Sequence, residues 1–275
     1  MQTAVVVTGA STGIGADAAE AIARAGYIVF AGVRNDTAAE RIGSVHENIR
    51  PLRLDVTDRV SIDDAVRTVS ASGIALRGVV NNAGIAVGGP IEHLPLDALR
   101  RQFDVNVFGA IAVTQAFLPL MHEDGRVIFV GSIQGRLTVP YIGPYSASKH
   151  ALRALATALR IELAPAHIWV SLIEPGSVKT PIWSKGRASK DEMLASLPPG
   201  ARAHYPKAID SLVRQTENEE RTGLPVERVT KDILHALTAR KPRANYIVGM
   251  PARIGSFLSL LPAPLYDRLF SSMAR

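Results

Sequence analysis

Tyr145 and Lys149 lie four positions apart in the segment YSASK, and together these two side chains could transfer protons. On a helix, residues i and i+4 share one face, which would hold the lysine ammonium close to the tyrosine hydroxyl. A free tyrosine has a pKa of about 10, so half ionisation at neutral pH requires about 4 kcal/mol of differential stabilisation, much of which a nearby cation can supply. The same spacing is common on ordinary surface helices, so the pair needs suitable neighbours before it indicates catalysis.

Two further polar residues could complete such a proton-transfer site. Ser132 follows the apolar run RVIFV, thirteen residues before Tyr145, and its hydroxyl could donate a hydrogen bond to a substrate oxygen that gains charge. Asn106 lies in the long apolar segment 96 to 121, where a buried amide must find partners, and we expect it to hold a water molecule that relays protons to Lys149. The chain has no cysteine and its seven histidines show no metal-binding spacing, so we predict no metal site.

The sequence TGASTGIG, residues 8 to 15, follows a short apolar run and leads into a helical pattern. Its three glycines would allow a tight turn in which phosphate oxygens approach backbone amides at a helix start, where the helix dipole also favours an anion. Such a turn suggests a phosphate site formed by its residues Gly9, Ser11, Thr12, Gly13, Ile14 and Gly15. The spacing is G-x-x-x-G-x-G rather than G-x-G-x-x-G, so the turn alone is only suggestive.

Residues 9 to 13 also match G-x-S-x-G, the nucleophile elbow of α/β hydrolases, with Ser11 as the nucleophile. A hydrolase of that kind needs an oxyanion loop from an earlier strand, but only ten residues precede Ser11. We therefore disfavour hydrolysis as the function of this turn.

Short apolar runs rich in β-branched residues alternate with longer segments of helical periodicity. The predicted strands are 4 to 7, 28 to 32, 51 to 54, 78 to 80, 126 to 130, 168 to 173 and 245 to 249. Apolar stripes indicate helices, among them Ile14, Ala18, Ile22 and Ala25, and Leu152, Leu155, Leu159 and Leu163. This alternation predicts one α/β domain over 1–275, a Rossmann-type doubly wound parallel sheet with helices on both faces. The polar segment 181–225 is expected to form a small helical cap over the substrate.

Ligands of such sheets bind beyond the carboxyl ends of the strands, and characteristic residues stand at these ends. They are Asp55 and Val56 after the third predicted strand, Asn82, Ala83 and Gly84 after the fourth, Ser132 after the fifth, and Pro175, Gly176, Val178 and Thr180 after the sixth. With TGASTGIG, Asn106 and Tyr145-x-x-x-Lys149, they occur in the order and at the spacing of a known family. From residue 3 to at least residue 180, the chain resembles the short-chain dehydrogenase/reductase family. It is loosely similar to the branch that includes 17β-hydroxysteroid and retinol dehydrogenases.

The resemblance implies hydride transfer between a nicotinamide cofactor and a carbonyl or secondary alcohol. It implies four catalytic residues: Asn106, Ser132, Tyr145 and Lys149, with Tyr145 as general acid and base. It further implies that the pyrophosphate lies at the glycine turn and the adenosine near 55–56 and 82–84. The nicotinamide would then lie near 175–180 and near the tyrosine and lysine. Subunits of the family commonly pair through two long helices, here near 96–122 and 144–165, so we expect a homodimer or homotetramer.

The end of the second predicted strand bears on the choice of cofactor. An acidic residue at this point selects NAD by binding the ribose 2′-hydroxyl, whereas an arginine accommodates the 2′-phosphate of NADP. Val33 stands at the acidic position and Arg34 follows it, so NADP(H) is favoured. Asp36 is close enough to keep NAD(H) as the alternative.

Apolar side chains in the predicted cap and in the C-terminal tail favour a lipophilic substrate such as a steroid, retinoid or lipid. They would equally suit core packing, a subunit interface or peripheral contact of the tail with a membrane. A reductase of 3-oxoacyl thioesters on an acidic carrier protein is the second candidate, since the net charge of +6 would attract that partner. A third is a regulatory protein that binds NADP without catalysis.

Composition bears on the partners and the cellular location that we expect for this protein. Lysines and arginines are scattered and no basic run is interleaved with aromatic residues, so we expect no nucleic-acid partner. The uncharged segment 254 to 266 is shorter than the roughly 20 residues of a membrane span and contains two prolines, and the N-terminus shows no secretory signal. These features and the absence of cysteine predict a cytoplasmic enzyme without a transmembrane segment.

Overall fold

Seven β-strands form one parallel sheet in the order β3-β2-β1-β4-β5-β6-β7 in a computed structural model that describes residues 2–180, 182, 204–205 and 221–271. The strands are β1 (Ala4–Val7), β2 (Ile28–Val33), β3 (Ile49–Arg53), β4 (Leu76–Asn81), β5 (Met121–Val130), β6 (Trp169–Pro175) and β7 (Asn245–Val248). Each of the seven predicted strands is confirmed, and every pairing is parallel. The Rossmann-type doubly wound sheet is therefore confirmed.

Helices connect the strands and cover both faces of the sheet. They are α1 (Gly13–Arg24), α2 (Asp36–Gly43), α3 (Arg59–Ala71), α4 (Leu96–Phe103), α5 (Ala110–Phe117), α6 (Gly143–Glu162), α7 (Val226–Thr238), α8 (Met250–Leu258) and α9 (Ala263–Phe270). A π-helical segment, Asp104–Gly109, joins α4 to α5, and a short 3₁₀ turn, Ile133–Gly135, follows β5.

Two apolar cores lie on the two sides of the sheet. On one side, Val5 and Val7 of β1 pack with Ile22 of α1 and Ile233 of α7. On the other side, the alternate residues of the strands, such as Val6 and Phe129, pack with α3, α5 and α6. Because both faces are covered, the central strands are apolar at every position instead of alternating with polar residues.

The apolar stripe predicted on α6 is wrong at one position. Leu152 is buried, but Leu155 is 39% exposed, and Ala156 lies in the core in its place. The buried face of this helix follows Tyr145, Lys149, Leu152 and Ala156, since the two polar residues face the carboxyl edge of the sheet. The stripe predicted on α1 is confirmed at Ile14, Ala18 and Ile22 but is wrong at Ala25, which is exposed because it caps the helix, with Gly26 at φ +93° immediately after it.

The continuous helical segment Leu96–Leu120 is long enough to cross a membrane and has a mean hydropathy of 1.4. Some of its apolar residues pack in the protein core, because Val113 and Phe117 are fully buried against the sheet. Part of the segment therefore lies in the core, and the segment also carries Asn106.

The strand order reverses between β1 and β4, which lie side by side with β2 and β5 on their outer flanks. A crevice opens at the carboxyl ends of strands where the order reverses, because the connecting helices pass to opposite faces. The glycine turn after β1 and residues 82–84 after β4 meet there. The predicted cap, 181–225, lies mostly outside the described residues, but its base is closed by backbone bonds of 2.9 Å between Leu224 and residues 177 and 179.

Candidate active site

The glycine turn between β1 and α1 has a backbone that residues other than glycine adopt only at a cost. Gly9 and Gly13 have φ of +64° and +59°, in the left-handed region that glycine tolerates at little cost. A Cβ on Gly15 would lie 2.3 Å from the Gly9 oxygen and 2.4 Å from the side-chain nitrogen of Asn82. The glycines thus let the turn pack closely against the end of β4 at the start of α1, which has no acidic residue in its first turn.

Thr8 and Asn82 hold this turn against the end of β4. The Asn82 amide donates to the backbone oxygens of Thr8 and Gly9 at 3.0 and 3.2 Å. The Thr8 hydroxyl accepts from the backbone nitrogens of Asn82 and Ala83 at 2.9 and 3.0 Å. Thr8 was missed as a functional residue, although it opens the TGASTGIG sequence. The Asn82 side chain supports the turn, so its contribution to a ligand site is indirect.

A cleft of about 490 Å³ extends from the glycine turn along the carboxyl ends of the strands. Its lining includes most of the predicted cofactor residues: Gly9, Ser11, Thr12, Gly13, Ile14, Arg34, Asp55, Val56, Asn82, Ala83, Gly84 and Thr180. Arg101 and Asp104 also line it and were missed, because nothing in their local sequence separates them from other helix-surface residues.

A second cavity, about 110 Å³, adjoins the first and shares Ile14, Asn82, Gly84 and Thr180 with it. It is lined by six more of the predicted residues: Ser132, Tyr145, Lys149, Pro175, Gly176 and Val178. The predicted residues Gly15 and Asn106 line neither cavity. The structure thus places three of the four predicted proton-transfer residues, Ser132, Tyr145 and Lys149, around one cavity next to the glycine turn. The residues predicted to contact the nicotinamide line the same cavity.

The end of β2 lies at the far end of the larger cleft. Arg34 is exposed there and close enough to Asp55 to affect its ionisation. Partial burial raises the pKa of Asp55, but hydrogen bonds from Thr57 and the nearby Arg34 charge together lower it below its usual value. Asp36 is the residue that leaves NAD(H) as the alternative cofactor. It lies in the first turn of α2 and pairs with Arg53 at 3.1 Å.

Lys149 is buried on α6, and its Nζ lies 5.7 Å from the centre of the Tyr145 ring. The same Nζ donates a hydrogen bond to the backbone oxygen of Val130 at 3.0 Å, which ties α6 to the end of β5. Burial disfavours the ammonium form and lowers the pKa of Lys149 to about 8. The lysine therefore lies beside the tyrosine, as the i, i+4 spacing predicts, and titrates near the physiological range.

Ser132 is positioned by the 3₁₀ turn that follows β5. Its Oγ accepts a hydrogen bond from the Gln134 nitrogen at 3.2 Å and caps the turn. A Cβ on Gly135 would lie 2.8 Å from the Lys149 backbone oxygen, so only glycine allows the turn to approach α6 this closely. The approach is what brings the serine to the cavity lined by Tyr145 and Lys149.

Asn106 is held in the π-helical segment by a pair of bonds to one residue. Its Oδ1 accepts from the Ile85 nitrogen at 2.8 Å, and its Nδ2 donates to the Ile85 oxygen at 2.9 Å. Nδ2 also donates to the Ser148 hydroxyl at 3.0 Å. Both amide hydrogens are therefore engaged by protein atoms, which leaves a free acceptor position on Oδ1 for the expected water molecule.

A buried ion pair near the site was not predicted. Glu174, at the end of β6, is fully buried and binds Arg136 through two bonds of 2.7 and 2.6 Å, while Arg153 lies 3.6 Å away. Arg136 directly follows the 3₁₀ turn that carries Ser132, and Pro175 directly follows Glu174. The pair thus links two segments that line the smaller cavity.

Comparison with known proteins gives consistent matches over almost the whole chain. A family model described as short chain dehydrogenase matches residues 3–191. The chain is 36% identical to the NADPH-dependent 3-dehydrocapnine reductase of Ornithobacterium rhinotracheale over 96% of this chain and 95% of that protein. It is 34% identical to human Retinol dehydrogenase 5 over 97% of this chain and 87% of that protein. A short chain dehydrogenase from Burkholderia cenocepacia in complex with NADP superposes with a TM-score of 0.73, at 27% identity over 98% of this chain and 99% of that one.

Proposed function

The chain belongs to the short-chain dehydrogenase/reductase family of oxidoreductases, and on this basis we propose that it transfers hydride between NADP(H) and a lipophilic carbonyl or secondary alcohol. One observation carries the proposal: Ser132, Tyr145 and Lys149 line a single cavity that adjoins the cleft of the glycine turn. A reacting carbon in that cavity would have a proton donor and a hydrogen-bond donor on its oxygen side.

The residues present fit a dinucleotide. The glycine turn suits a pyrophosphate because the start of α1 presents backbone amides that no helical carbonyl accepts, and no acidic residue in the first turn would repel an anion. The apolar side chains of Leu54, Val56 and Val105 line the same cleft and suit an adenine ring. When bound, the nicotinamide ring would supply or accept the hydride at the substrate carbon.

Tyr145 would hold the proton that the substrate oxygen needs. In reduction its Oη donates this proton as charge develops on the oxygen, and in oxidation the same atom accepts the proton of the alcohol. The Lys149 ammonium beside the ring stabilises the tyrosine when it is ionised, and the Ser132 hydroxyl donates a hydrogen bond to the substrate oxygen. The resemblance implies a catalytic role for Asn106, but its side chain lines neither cavity, so we propose a positioning role for it instead. It joins the loop after β4 to Ser148 on the helix that carries Tyr145.

The proposal includes a preference for NADP(H). Arg34 lies exposed at the cleft, while Asp36 is engaged by Arg53 and is not part of the cleft lining. A guanidinium can bind a 2′-phosphate through two charge-assisted bonds, which NAD(H) cannot offer. The name of one relative, an NADPH-dependent reductase, and the NADP bound in one similar structure support the same preference.

We expect NADPH to raise the melting temperature more than NADH at equal concentration. Replacing Arg34→Ala should weaken NADPH binding by about 10- to 100-fold, as expected for a lost hydrogen bond to a charged group, and leave NADH binding nearly unchanged. Thermal shift measures the change in melting temperature, and fluorescence titration measures the affinity for each cofactor. Arg67→Ala, which removes an exposed arginine on α3, is the control for loss of surface charge. A larger shift with NADH would refute the role given to Arg34.

The preference for a lipophilic substrate is supported by apolar residues in the lining of the smaller cavity, which include Ile133, Ile142, Val178 and Ile182. Each methylene buried there is worth about 0.8 kcal/mol, or roughly 4-fold in binding, so a steroid ketone or retinal should exceed a small ketone by about 100-fold in kcat/KM. The relationship to Retinol dehydrogenase 5 supports this class.

A carbonyl panel with NADPH tests the proposal, with retinal, steroid ketones, small ketones and 3-oxoacyl thioesters as substrates and NADPH absorbance as the readout. Turnover confined to the thioesters would favour the carrier-protein reductase instead. Cofactor binding without turnover of any panel member would favour the regulatory alternative.

A further inference from the structure

The last two described helices, α8 and α9, form a C-terminal hairpin (250–270) with one face on the protein and the other uncovered. The inner face is fixed, since Ala252 is buried and a Cβ on Gly255 would lie 2.5 Å from the Leu137 side chain. The Tyr266 hydroxyl accepts a bond from the Thr138 nitrogen at 2.7 Å and donates to the oxygen of the same residue. The hairpin is therefore held against the segment that directly follows Ser132 and the 3₁₀ turn.

The outer face of the hairpin carries large apolar side chains in water. They are Met250, Ile254, Phe257, Leu260, Leu265 and Leu269, and Phe257 and Leu260 are 75% and 79% exposed. Scattered apolar residues are normal on a protein surface, but five on two consecutive short helices, with Leu260 in the turn between them, are the kind of patch that marks an interaction site.

A basic groove adjoins this apolar patch. It has a volume of about 490 Å³ between α7, β7 and α8, and its lining includes Arg228, Lys231, Arg243 and Arg253 with Asp232 as the acidic member. Phe257 lines the same groove, so the apolar patch and the basic groove are continuous. Over residues 221–271 the chain has eight lysines and arginines and three acidic residues, against a net charge of +6 for the whole chain.

We propose that the C-terminal hairpin and the basic groove dock this protein on an anionic membrane surface. Apolar side chains beside basic ones are the composition of an interfacial element, in which the former enter the lipid boundary and the latter attract anionic headgroups. Helices of 9 and 8 residues extend only about 12 to 14 Å, far less than a bilayer core of about 30 Å, so the hairpin lies on the membrane and does not span it.

Two other occupants fit this surface less well. A second copy of the chain in a two-fold contact would bring the basic grooves of both copies close together, where like charges repel. An acidic protein partner would satisfy the basic groove but would leave the exposed apolar row on α8 and α9 without a role. The docking proposal does not depend on which carbonyl the enzyme reduces.

Vesicle co-sedimentation of the full chain tests the proposal. We expect binding to vesicles of mixed phosphatidylcholine and phosphatidylserine, weakening with added salt, and much less binding to phosphatidylcholine alone. The double variant Phe257→Ser with Leu260→Ser should bind the mixed vesicles at least about 10-fold more weakly, since two large apolar side chains no longer enter the lipid boundary. The charge variant Lys231→Glu with Arg253→Glu should show a loss of similar size and a reduced salt dependence.

A matched control removes two apolar residues of similar exposure elsewhere, Val60→Ser on α3 with Ile161→Ser on α6, and should bind vesicles as the natural chain does. The NADPH thermal shift of each variant establishes that it is folded. The proposal is overturned if the natural chain does not bind mixed vesicles, or if the control loses binding equally. It is also overturned if the hairpin variant changes only the oligomeric state in ultracentrifugation, or if only an acidic carrier protein binds.

Discussion

Tyr145→Phe is expected to lower kcat for carbonyl reduction by about 10²- to 10⁴-fold, the range typical of a lost general acid, with little change in the Kd of NADPH. The substitution removes one oxygen and keeps the ring, which is largely buried on α6 and packs beside Lys149. Loss of the proton donor acts on the transition state, so kcat should fall while cofactor affinity is retained. Steady-state NADPH absorbance gives the turnover, and fluorescence titration gives the Kd.

Tyr27→Phe is the matched control for this experiment, because it removes the same atom from a tyrosine outside both cavities. Its turnover should equal that of the natural chain. Full activity in the Tyr145 variant would refute the proposed role of Tyr145 as the proton donor. A fall in NADPH affinity as large as the fall in kcat would assign Tyr145 to binding instead.

Lys149→Met should have the second large effect, which is a change both in the free energy of unfolding and in turnover. Burial lowers the pKa of Lys149 to about 8, from 10.5 in the unfolded chain. Below pH 8 both states carry the proton, and the folded state bears the full unfavourable burial of the charge, about 3 kcal/mol. Between pH 8 and 10.5 the unfolded chain holds a proton that the folded chain has lost, so stability rises with pH by about 1.4 kcal/mol per unit.

The methionine variant lacks this titration, so the difference in unfolding free energy between it and the natural chain should change by about 3 kcal/mol between pH 7 and pH 11. Urea denaturation of cofactor-free protein at several pH values measures it, and other titrating groups cancel in the difference. Lys231→Met controls for the loss of a lysine on the surface. Parallel stability curves for the natural chain and Lys149→Met would contradict a lowered pKa. Turnover of Lys149→Met should fall sharply, because the ionised tyrosine loses its neighbouring cation.

Local sequence was sufficient for several features of the fold. The strands could be predicted because each is a short apolar run between helical segments, and a parallel sheet covered on both faces requires that pattern. The positions of Ser132, the glycine turn and residues 175–180 also followed, since every parallel strand brings its carboxyl end to the same edge of the sheet. The membership in the dehydrogenase family agrees with the motif order from residue 3 to residue 180.

The local pattern was less informative about helix faces and cofactor choice. The Leu155 prediction failed because helical periodicity specifies a stripe but not which neighbouring stripe faces the sheet. The face of α6 that carries Tyr145 and Lys149 is turned toward the site, and Leu155 therefore lies at the surface. Similarly, Asp36 stood close to Arg34 in sequence, and only the packing of β3 beside α2 gave it Arg53 as a partner.

The chain by itself determined the class of sheet, the order of its motifs and the residue types able to transfer a proton, because these depend on local periodicity and on chemistry at strand ends. Tertiary structure decided which groups are held, buried or in contact. Thr8 supports Asn82 across 74 residues, Asn106 binds Ile85 and Ser148, and Gly135 is required only where a turn meets α6. Such contacts join distant segments, and their strength depends on burial and distance, which no local pattern contains.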